Sequence, residues 1–373
     1  MSIPRSLIPL RPCARLPAHV HDLETITLPH PMEEFTSIID VRTPSEYAED
    51  HLPGAINLPV LSDAQRVEVG TLYKQDQFAA RALGARYISA NISDHLAVIS
   101  EQWPRQQQPL LYCWRGGLRS RSFALILRSI GWRARLIEGG YKSYRRHVLE
   151  DLKAQAARPE LEFHVLAGLT GTGKTRLLHH LREQGADVLD LEGLANHRGS
   201  LLGARGPQPS QKYFESQLHT ELTAFDGNSP VFVEAESNRI GNVSIPPPLW
   251  QKLASARVTE IQLPLPERAQ LLQEDYPQFI ERPAELSSLL DELRRLRGHE
   301  QVDRWQEQIA RQDWPAFLAS ILRDHYDLAY RRAGSEKSNY QKPSSTLPLD
   351  DAGPDSFARA ARELITINQR PPS

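Results

Sequence analysis

LLYCWRGGLRSRSF, residues 110–123, is the stretch from which the first half of the chain can be read. Residues 109–112 are an uninterrupted apolar run of strand length, and 120–130 carry apolar side chains at helical spacing and stop at Gly131. Between them lies a loop holding one cysteine, two glycines and two arginines. A helix N-terminus leaves backbone N–H groups unpaired and carries a partial positive charge. Gly116 and Gly117 let the loop curl so that such groups point inward, and Arg115 and Arg119 add fixed charge, with Ser120 opening the helix. A field of this sign favours a thiolate. Cys113 is therefore expected to be a nucleophile with an anion held beside it. A cysteine that merely packs would need neither glycines nor arginines in the same loop. Cys13 is given no role.

Working outward, residues 37–41 (SIIDV) read as a short strand ending in an acid, and Pro44 starts a helix. Residues 51–59 (HLPGAINLP) are a turn into a short extended piece, and 61–107 alternate helical patterns with polar turns. One more short strand, 135–137, is closed by Glu138-Gly139-Gly140-Tyr141. Strands alternating with helices predict an α/β unit built on a parallel sheet. Residues 145–160 are charged and Ala-rich and read as a connecting helix or linker. A second α/β unit starts at 163–167 (FHVLA), with strands near 187–191, 230–234 and 258–263. From about 267 onward the pattern is mostly helical, over 284–297, 302–311, 314–332 and 356–365, and Pro246-Pro247-Pro248 reads as a stiff turn. The expected organisation is a loose Pro-rich segment at 1–24, one α/β domain at 25–150, a linker at 151–160, and a second α/β domain with a helical C-terminal region at 161–373.

The chain has 373 residues, 40% hydrophobic and 24% charged, which is ordinary globular material for two domains. No run reaches the roughly 18 apolar residues of a membrane span. Prolines and arginines stand near the N-terminus where an export signal would have a continuous apolar core, so no such signal is read. Two cysteines cannot form a disulfide framework, and a reducing, cytoplasmic compartment is expected. The formal net charge of −2 gives nucleic-acid binding no support from bulk charge. Arg294, Arg295 and Arg297 cluster, as do Arg331, Arg332, Lys337 and Lys342; each group reads as a solvated helix face or as a local basic surface.

Residues 168–175, GLTGTGKT, match G-x4-G-K-[ST] after an apolar strand and before a helical run, the context a phosphate loop requires. Gly168, Gly171 and Gly173, with Thr170 and Thr172 between them, let backbone N–H groups wrap phosphate oxygens. Lys174 supplies a point charge and Thr175 a hydroxyl that can meet Mg²⁺. Glu234 and Glu236, ending an apolar strand, are candidate metal-side acids, and Asp190 and Glu192 are similar; no metal site is certain, and His197 alone carries none. Residues 191–200 read as a site-facing loop. A phosphate loop specifies a phosphate chain rather than hydrolysis, and no clear water-activating residue accompanies it, so diphosphate binding without hydrolysis stays open.

The spacing from Cys113 to Arg119 fits the Cys-x5-Arg loop of cysteine phosphatases. The segments Ile39-Asp40-Val41-Arg42, Glu46-Tyr47, 51–59 and Glu138-Gly139-Gly140, with the strand, cysteine loop and helix, resemble the rhodanese family. That resemblance implies a cysteine carrying sulfur or a related chalcogen, with Asp40 and Arg42 bracing the loop. This loop is one residue longer than many rhodanese loops, which suits a larger atom or a phosphate-bearing donor. Taken with 168–175, 191–200 and 234–241, most of the chain resembles the tRNA 2-selenouridine synthase family. The implied fold is an N-terminal rhodanese-like α/β domain followed by a P-loop NTPase-like α/β domain with a mostly helical C-terminal region. The implied activity is a transferase that replaces sulfur by selenium in wobble 2-thiouridine of tRNA. Selenophosphate is then the donor, and an S-geranylated intermediate is made from geranyl diphosphate. On that reading Cys113 handles selenium and the phosphate loop cradles the prenyl diphosphate. The partners are tRNA and a selenophosphate-producing enzyme, with no membrane and no tightly bound cofactor. Two other classes stay open: a cysteine phosphatase or arsenate-reductase-like enzyme with an accessory phosphate loop, and a P-loop kinase with a sulfur-carrier domain.

Overall fold

A computed structural model describes residues 23–197, 206–329, 340 and 342–368, leaving aside the side chains of 278 and 279. Cys13, Arg198, Arg331, Arg332 and Lys337 lie outside the described residues, as do the last part of the 191–200 loop and nearly all of segment 1–24. The chain divides into two compact units, Met1–Leu149 and Glu150–Ser373.

In the first unit, β1 (Thr25–Ile26), β2 (Ser37–Asp40), β3 (Ala55–Asn57), β4 (Pro109–Tyr112) and β5 (Arg135–Ile137) form one sheet in the order β1-β5-β4-β2-β3. All of its pairings are parallel. β4 is fully buried in the middle, which is why its sequence is a continuous apolar run rather than an alternating one. Helices Pro44–Glu49, Asp63–Tyr73, Gln77–Gln102 and Leu118–Ile130 connect the strands. The first is fixed by a capping box in which Thr43 and Glu46 satisfy each other's backbone N–H groups. Ile39, Val41, Leu111, Phe123, Leu127 and Leu136 make the core between sheet and helices. Gly140–Ala157 is a single helix, so most of the expected connector at 145–160 is helical.

In the second unit, β6 (Phe163–Ala167), β7 (Val188–Leu189), β8 (Val231–Glu234), β11 (Arg257–Gln262) and β12 (Ser345–Pro348) form a second parallel sheet, in the order β12-β11-β6-β8-β7. A small antiparallel hairpin pairs β9 (Arg239–Ile240) with β10 (Val243–Ser244). The C-terminal third, read as helical, contributes β12 as the sheet's edge. Its sequence, Ser-Thr-Leu-Pro, has one buried side chain and a proline that only an edge tolerates, so it carries little strand signal. Pro246-Pro247-Pro248 is a helix start rather than only a turn, because proline at the first position of helix Pro247–Ala254 loses no hydrogen bond. The helix read over 284–297 is two, Pro283–Asp291 and Arg294–Arg297. The one read over 314–332 is α-helical over Trp314–Ile321 and then widens into a π-helical turn, Leu322–Tyr326. These helices pack round Trp305, which is fully buried and donates through Nε1 to Ser320 Oγ at 2.7 Å.

Candidate active site

The centre of the first unit is the end of β4. Cys113 follows the central strand and precedes helix Leu118–Ile130, at the edge where parallel α/β sheets place ligands. Its Sγ accepts hydrogen bonds from the Gly117 N–H at 3.2 Å and the Ser120 hydroxyl at 3.3 Å. The residue is only 3% exposed. Gly116 sits at φ +67°, a left-handed conformation, whereas Gly117 is at φ −88° with open space where a Cβ would go. The loop's curl therefore rests on Gly116, and Gly117 matters for its N–H. Gly140 closes the loop from behind. A Cβ there would stand 2.2 Å from the Cys113 carbonyl and 2.6 Å from the Gly116 nitrogen.

The two arginines part company. Arg115 is exposed at the rim. Arg119 is mostly buried and pairs with Glu46 at 2.9 Å, so its charge is already met from within the protein. Burial alone would raise the Glu46 carboxyl, but the Arg119 charge and hydrogen bond, the Thr43 N–H and Arg42 outweigh it and hold the group below its ordinary value. Glu46 as the partner of Arg119 was not found by sequence reasoning, which marked Glu46-Tyr47 only as part of the family resemblance.

Asp40 and Arg42 form a buried pair, 2.6 Å apart, and make no hydrogen bond to the sulfur. Their contacts reach the loop through Tyr141. The Arg42 guanidinium lies 3.9 Å from the ring centre of Tyr141 and donates to the Asp50 carbonyl. Tyr141 donates its hydroxyl to Asp50 at 2.7 Å and its backbone N–H to the Cys113 carbonyl at 2.9 Å. The Tyr112 hydroxyl, one residue before the cysteine, accepts from the Leu52 N–H at 3.1 Å.

The second unit's site is built on β6 and its neighbour β8. After Ala167 the chain turns through Gly168, Gly171 and Gly173, all at positive φ, into helix Lys174–Glu183. A Cβ at Gly173 would overlap the Phe357 ring at 2.4 Å. Thr172 is buried and bonds back to the Leu169 carbonyl at 2.9 Å, which fixes the loop's shape. Lys174 Nζ donates to the Gly168 carbonyl at 3.0 Å, across the loop mouth. Thr175 Oγ1 lies 3.2 Å from Glu234 and 3.4 Å from Glu192. Burial, and then the charges of Glu192, Glu236 and Asp190, push the Glu234 carboxyl well above its ordinary value. Burial and Glu192 hold Glu236 up at about 8, against the pull of Lys174. Arg268, unremarked in the sequence, donates to the Thr170 carbonyl at 2.9 Å and is gripped by Asp327 at 2.6 and 3.1 Å, tying helix Leu265–Asp275 to the phosphate loop.

Of the residues expected near Mg²⁺, the Thr175 hydroxyl lies beside the Glu234 and Glu192 carboxyl groups, and Glu236 lies close enough to Glu192 and Lys174 to feel their charges; all offer hard oxygen donors. Among the described residues no group of three or more His, Cys, Asp or Glu is arranged to hold a metal alone, so a cation here would share its shell with phosphate oxygens. Bound there, it would neutralise charge on the phosphate chain. His197 donates its backbone N–H to the Glu192 carbonyl and joins no such cluster among the described residues. Of the basic cluster in the helical region, Arg294 is paired with Asp291 and Asp303, and Arg297 donates to the ring and the backbone carbonyl of His325.

Two family models match: a rhodanese-like domain over residues 27–147 and the tRNA 2-selenouridine synthase AAA domain over 161–343. The tRNA 2-selenouridine synthase of Chromohalobacter salexigens is 35% identical over 339 residues, covering 82% of this chain and 91% of its own. The chain belongs to the tRNA 2-selenouridine synthase family. The protein of that name from Alcanivorax borkumensis is 37% identical, covering 80% and 91%. The one from Nitrosomonas europaea is 38% identical over 250 residues, which span 63% of its length. The fold expectation of a rhodanese-like unit followed by a P-loop unit is met.

Proposed function

We propose that this chain replaces sulfur by selenium in the wobble 2-thiouridine of tRNA, taking selenium from selenophosphate through an S-geranylated intermediate. The observation that carries the reading is the pairing, in one chain of this family, of a thiol whose sulfur accepts two hydrogen bonds with a separate phosphate loop. In the first step the thiocarbonyl sulfur attacks C1 of geranyl diphosphate; a C–S bond forms, the C–O bond breaks and pyrophosphate leaves. The phosphate-loop amides and Lys174 bear the charge that develops on it. In the second, hydroselenide adds at C2 and the geranyl thiolate departs, a far better leaving group than the original sulfur.

Cys113 serves the second step by freeing that hydroselenide. Its thiolate attacks the phosphorus of selenophosphate, an S–P bond forms and the P–Se bond breaks. Water then hydrolyses the phosphocysteine, and no oxidant or reductant is consumed. Gly117 N–H and the Ser120 hydroxyl hold the attacking sulfur, and Arg115 at the rim meets the incoming anion. The reaction belongs in a reducing cytoplasm, with a separate enzyme supplying selenophosphate.

Mass spectrometry of tRNA nucleosides tests the reading. In cells lacking the endogenous activity, the wild-type chain is expected to give 2-selenouridine. Cys113→Ala should give the S-geranyl nucleoside without selenium, and Lys174→Ala should give neither. Full selenouridine from Cys113→Ala would overturn the role of the thiol. Release of phosphate from a generic aryl phosphate would favour a phosphatase, and turnover of ATP through Lys174 a kinase.

A further inference from the structure

An apolar cleft opens against the phosphate loop. Its walls are Leu272 and Tyr276 from the end of helix Leu265–Asp275, Leu286, and Trp314, Phe317 and Tyr326 from the segments around the π-helical turn, and Thr170 of the phosphate loop closes one end. The space between these walls is about 510 Å³, counting the part open to solvent. The cleft is continuous with the loop: a Cβ on Gly171 would touch Leu272 at 3.4 Å, and Arg268, one turn before Leu272, donates to the Thr170 carbonyl. A phosphate loop ordinarily sits beside polar groups that read a base and ribose. Here the neighbouring surface is mainly aliphatic and aromatic, with Gln273 its one amide, and a nucleoside placed in it would leave most of its polar edges unpaired. A slender hydrocarbon joined to a diphosphate leaves none.

We propose that this cleft holds the isoprenoid chain of the diphosphate substrate, with the phosphate loop taking its head. The assignment rests on the diphosphate reading given above. It makes Leu272, Tyr276, Trp314, Phe317 and Tyr326 the residues that select for a hydrocarbon tail. A ligand with the head alone gains nothing from the cleft, and one with the tail gains by apolar burial.

The test is calorimetric titration of the full-length chain with inorganic pyrophosphate, dimethylallyl diphosphate and geranyl diphosphate. Geranyl diphosphate is expected to bind at least about 30-fold tighter than pyrophosphate, with the five-carbon ligand between them. Leu318→Gln, on the cleft wall, should cut the geranyl affinity about 10-fold or more and leave that for pyrophosphate within about 2-fold; Ile280→Gln, a second wall position, guards against misfolding of the first. Equal binding of all three ligands to the wild type would overturn the assignment, as would equal losses for head and tail in both variants. If Lys174→Ala leaves pyrophosphate binding unchanged, the diphosphate reading itself fails. Pyrophosphate binding that depends on Lys174 without any preference for the tail sinks the cleft alone. Hydrogen-exchange protection of the ligand-free cleft, without tail preference, would hand it to another segment or copy of the chain and also overturn the proposal.

Discussion

Gly140→Ala should cripple the cysteine loop although it adds a single methyl group. The new Cβ would meet the Cys113 carbonyl at 2.2 Å, the Gly116 nitrogen at 2.6 Å and the Arg115 nitrogen at 3.1 Å. All three are backbone atoms of the loop, so no side chain can swing aside. Reaching ordinary contact means opening the first distance by about 1.2 Å. That motion breaks the 2.9 Å bond from the Tyr141 N–H to the same carbonyl. Overpacking of this kind costs about 1–3 kcal/mol, and a β-carbon at φ +59° adds about 1–2 kcal/mol. A loss of about 2–5 kcal/mol in urea unfolding is therefore expected. An ångström of misplacement at the sulfur is expected to slow selenium transfer about 100-fold or more. Two other glycines separate the causes. Gly54 has φ +76° but nothing within 4 Å of its Cβ position, so Gly54→Ala should show only the conformational cost, about 1–2 kcal/mol. Gly117 is neither left-handed nor crowded, and Gly117→Ala should stay within about 0.5 kcal/mol. If Gly140→Ala matches Gly54→Ala in both stability and selenium transfer, the packing argument for the loop is wrong.

Three further outcomes follow from the same geometry. Asp40→Asn keeps the shape but strands the Arg42 charge in a buried site, and should destabilise the chain by about 3–5 kcal/mol in denaturant titration; Asp40→Leu with Arg42→Met should recover most of that loss. Thr175→Val removes the hydroxyl that joins Glu192 and Glu234, and should abolish any Mg²⁺ dependence of diphosphate affinity measured by calorimetry. His325, buried and accepting at Nδ1 from Arg297, is held neutral first by burial and then by the Arg297 charge, with its pKa lowered to about 4. The folded state thus binds this proton less readily than the unfolded chain. The stabilisation is complete above about pH 6.5 and is lost as pH falls toward 4. Tryptophan fluorescence through Trp305 and Trp314 should show the decline, and His325→Gln should flatten it.

Much of this architecture was readable because its signals are local. β2, β4, β5 and β6 are short apolar runs bounded by turn residues, and each begins or ends within a residue of where the pattern places it. Both loops declared themselves by glycines beside a charged or nucleophilic residue. What escaped depends on contacts between distant positions. β12 is a strand only because β11 offers it an edge, and of its own four residues only Leu347 is buried. Arg119 reads as a free anion-binding charge until Glu46, 73 residues away, is folded against it. Gly116 and Gly117 are alike in sequence, yet only one is left-handed. The apolar cleft draws its walls from segments spread between Thr170 and Tyr326, so no window of sequence contains it.

Strand adjacency is what turns the two loops into sites. In the first unit β2 pairs beside β4 with Asp40 opposite Tyr112, so the buried Asp40–Arg42 pair lies one residue from the cysteine and steadies it through Tyr112 and Tyr141. In the second, β8 pairs beside β6 with Glu234 opposite Leu166, which carries its carboxylate to the start of the phosphate loop and within reach of Thr175. A slip of one residue in either pairing would send these side chains to the other face of the sheet. Register is held by buried apolar neighbours across each pairing, Ile39 opposite Leu111 in one unit and Val165 opposite Val233 in the other. Core packing and site geometry are therefore the same constraint. A core substitution in β2 or β8 that preserves volume should spare chemistry, while one that lets the strand slide should abolish it without touching a single reactive residue.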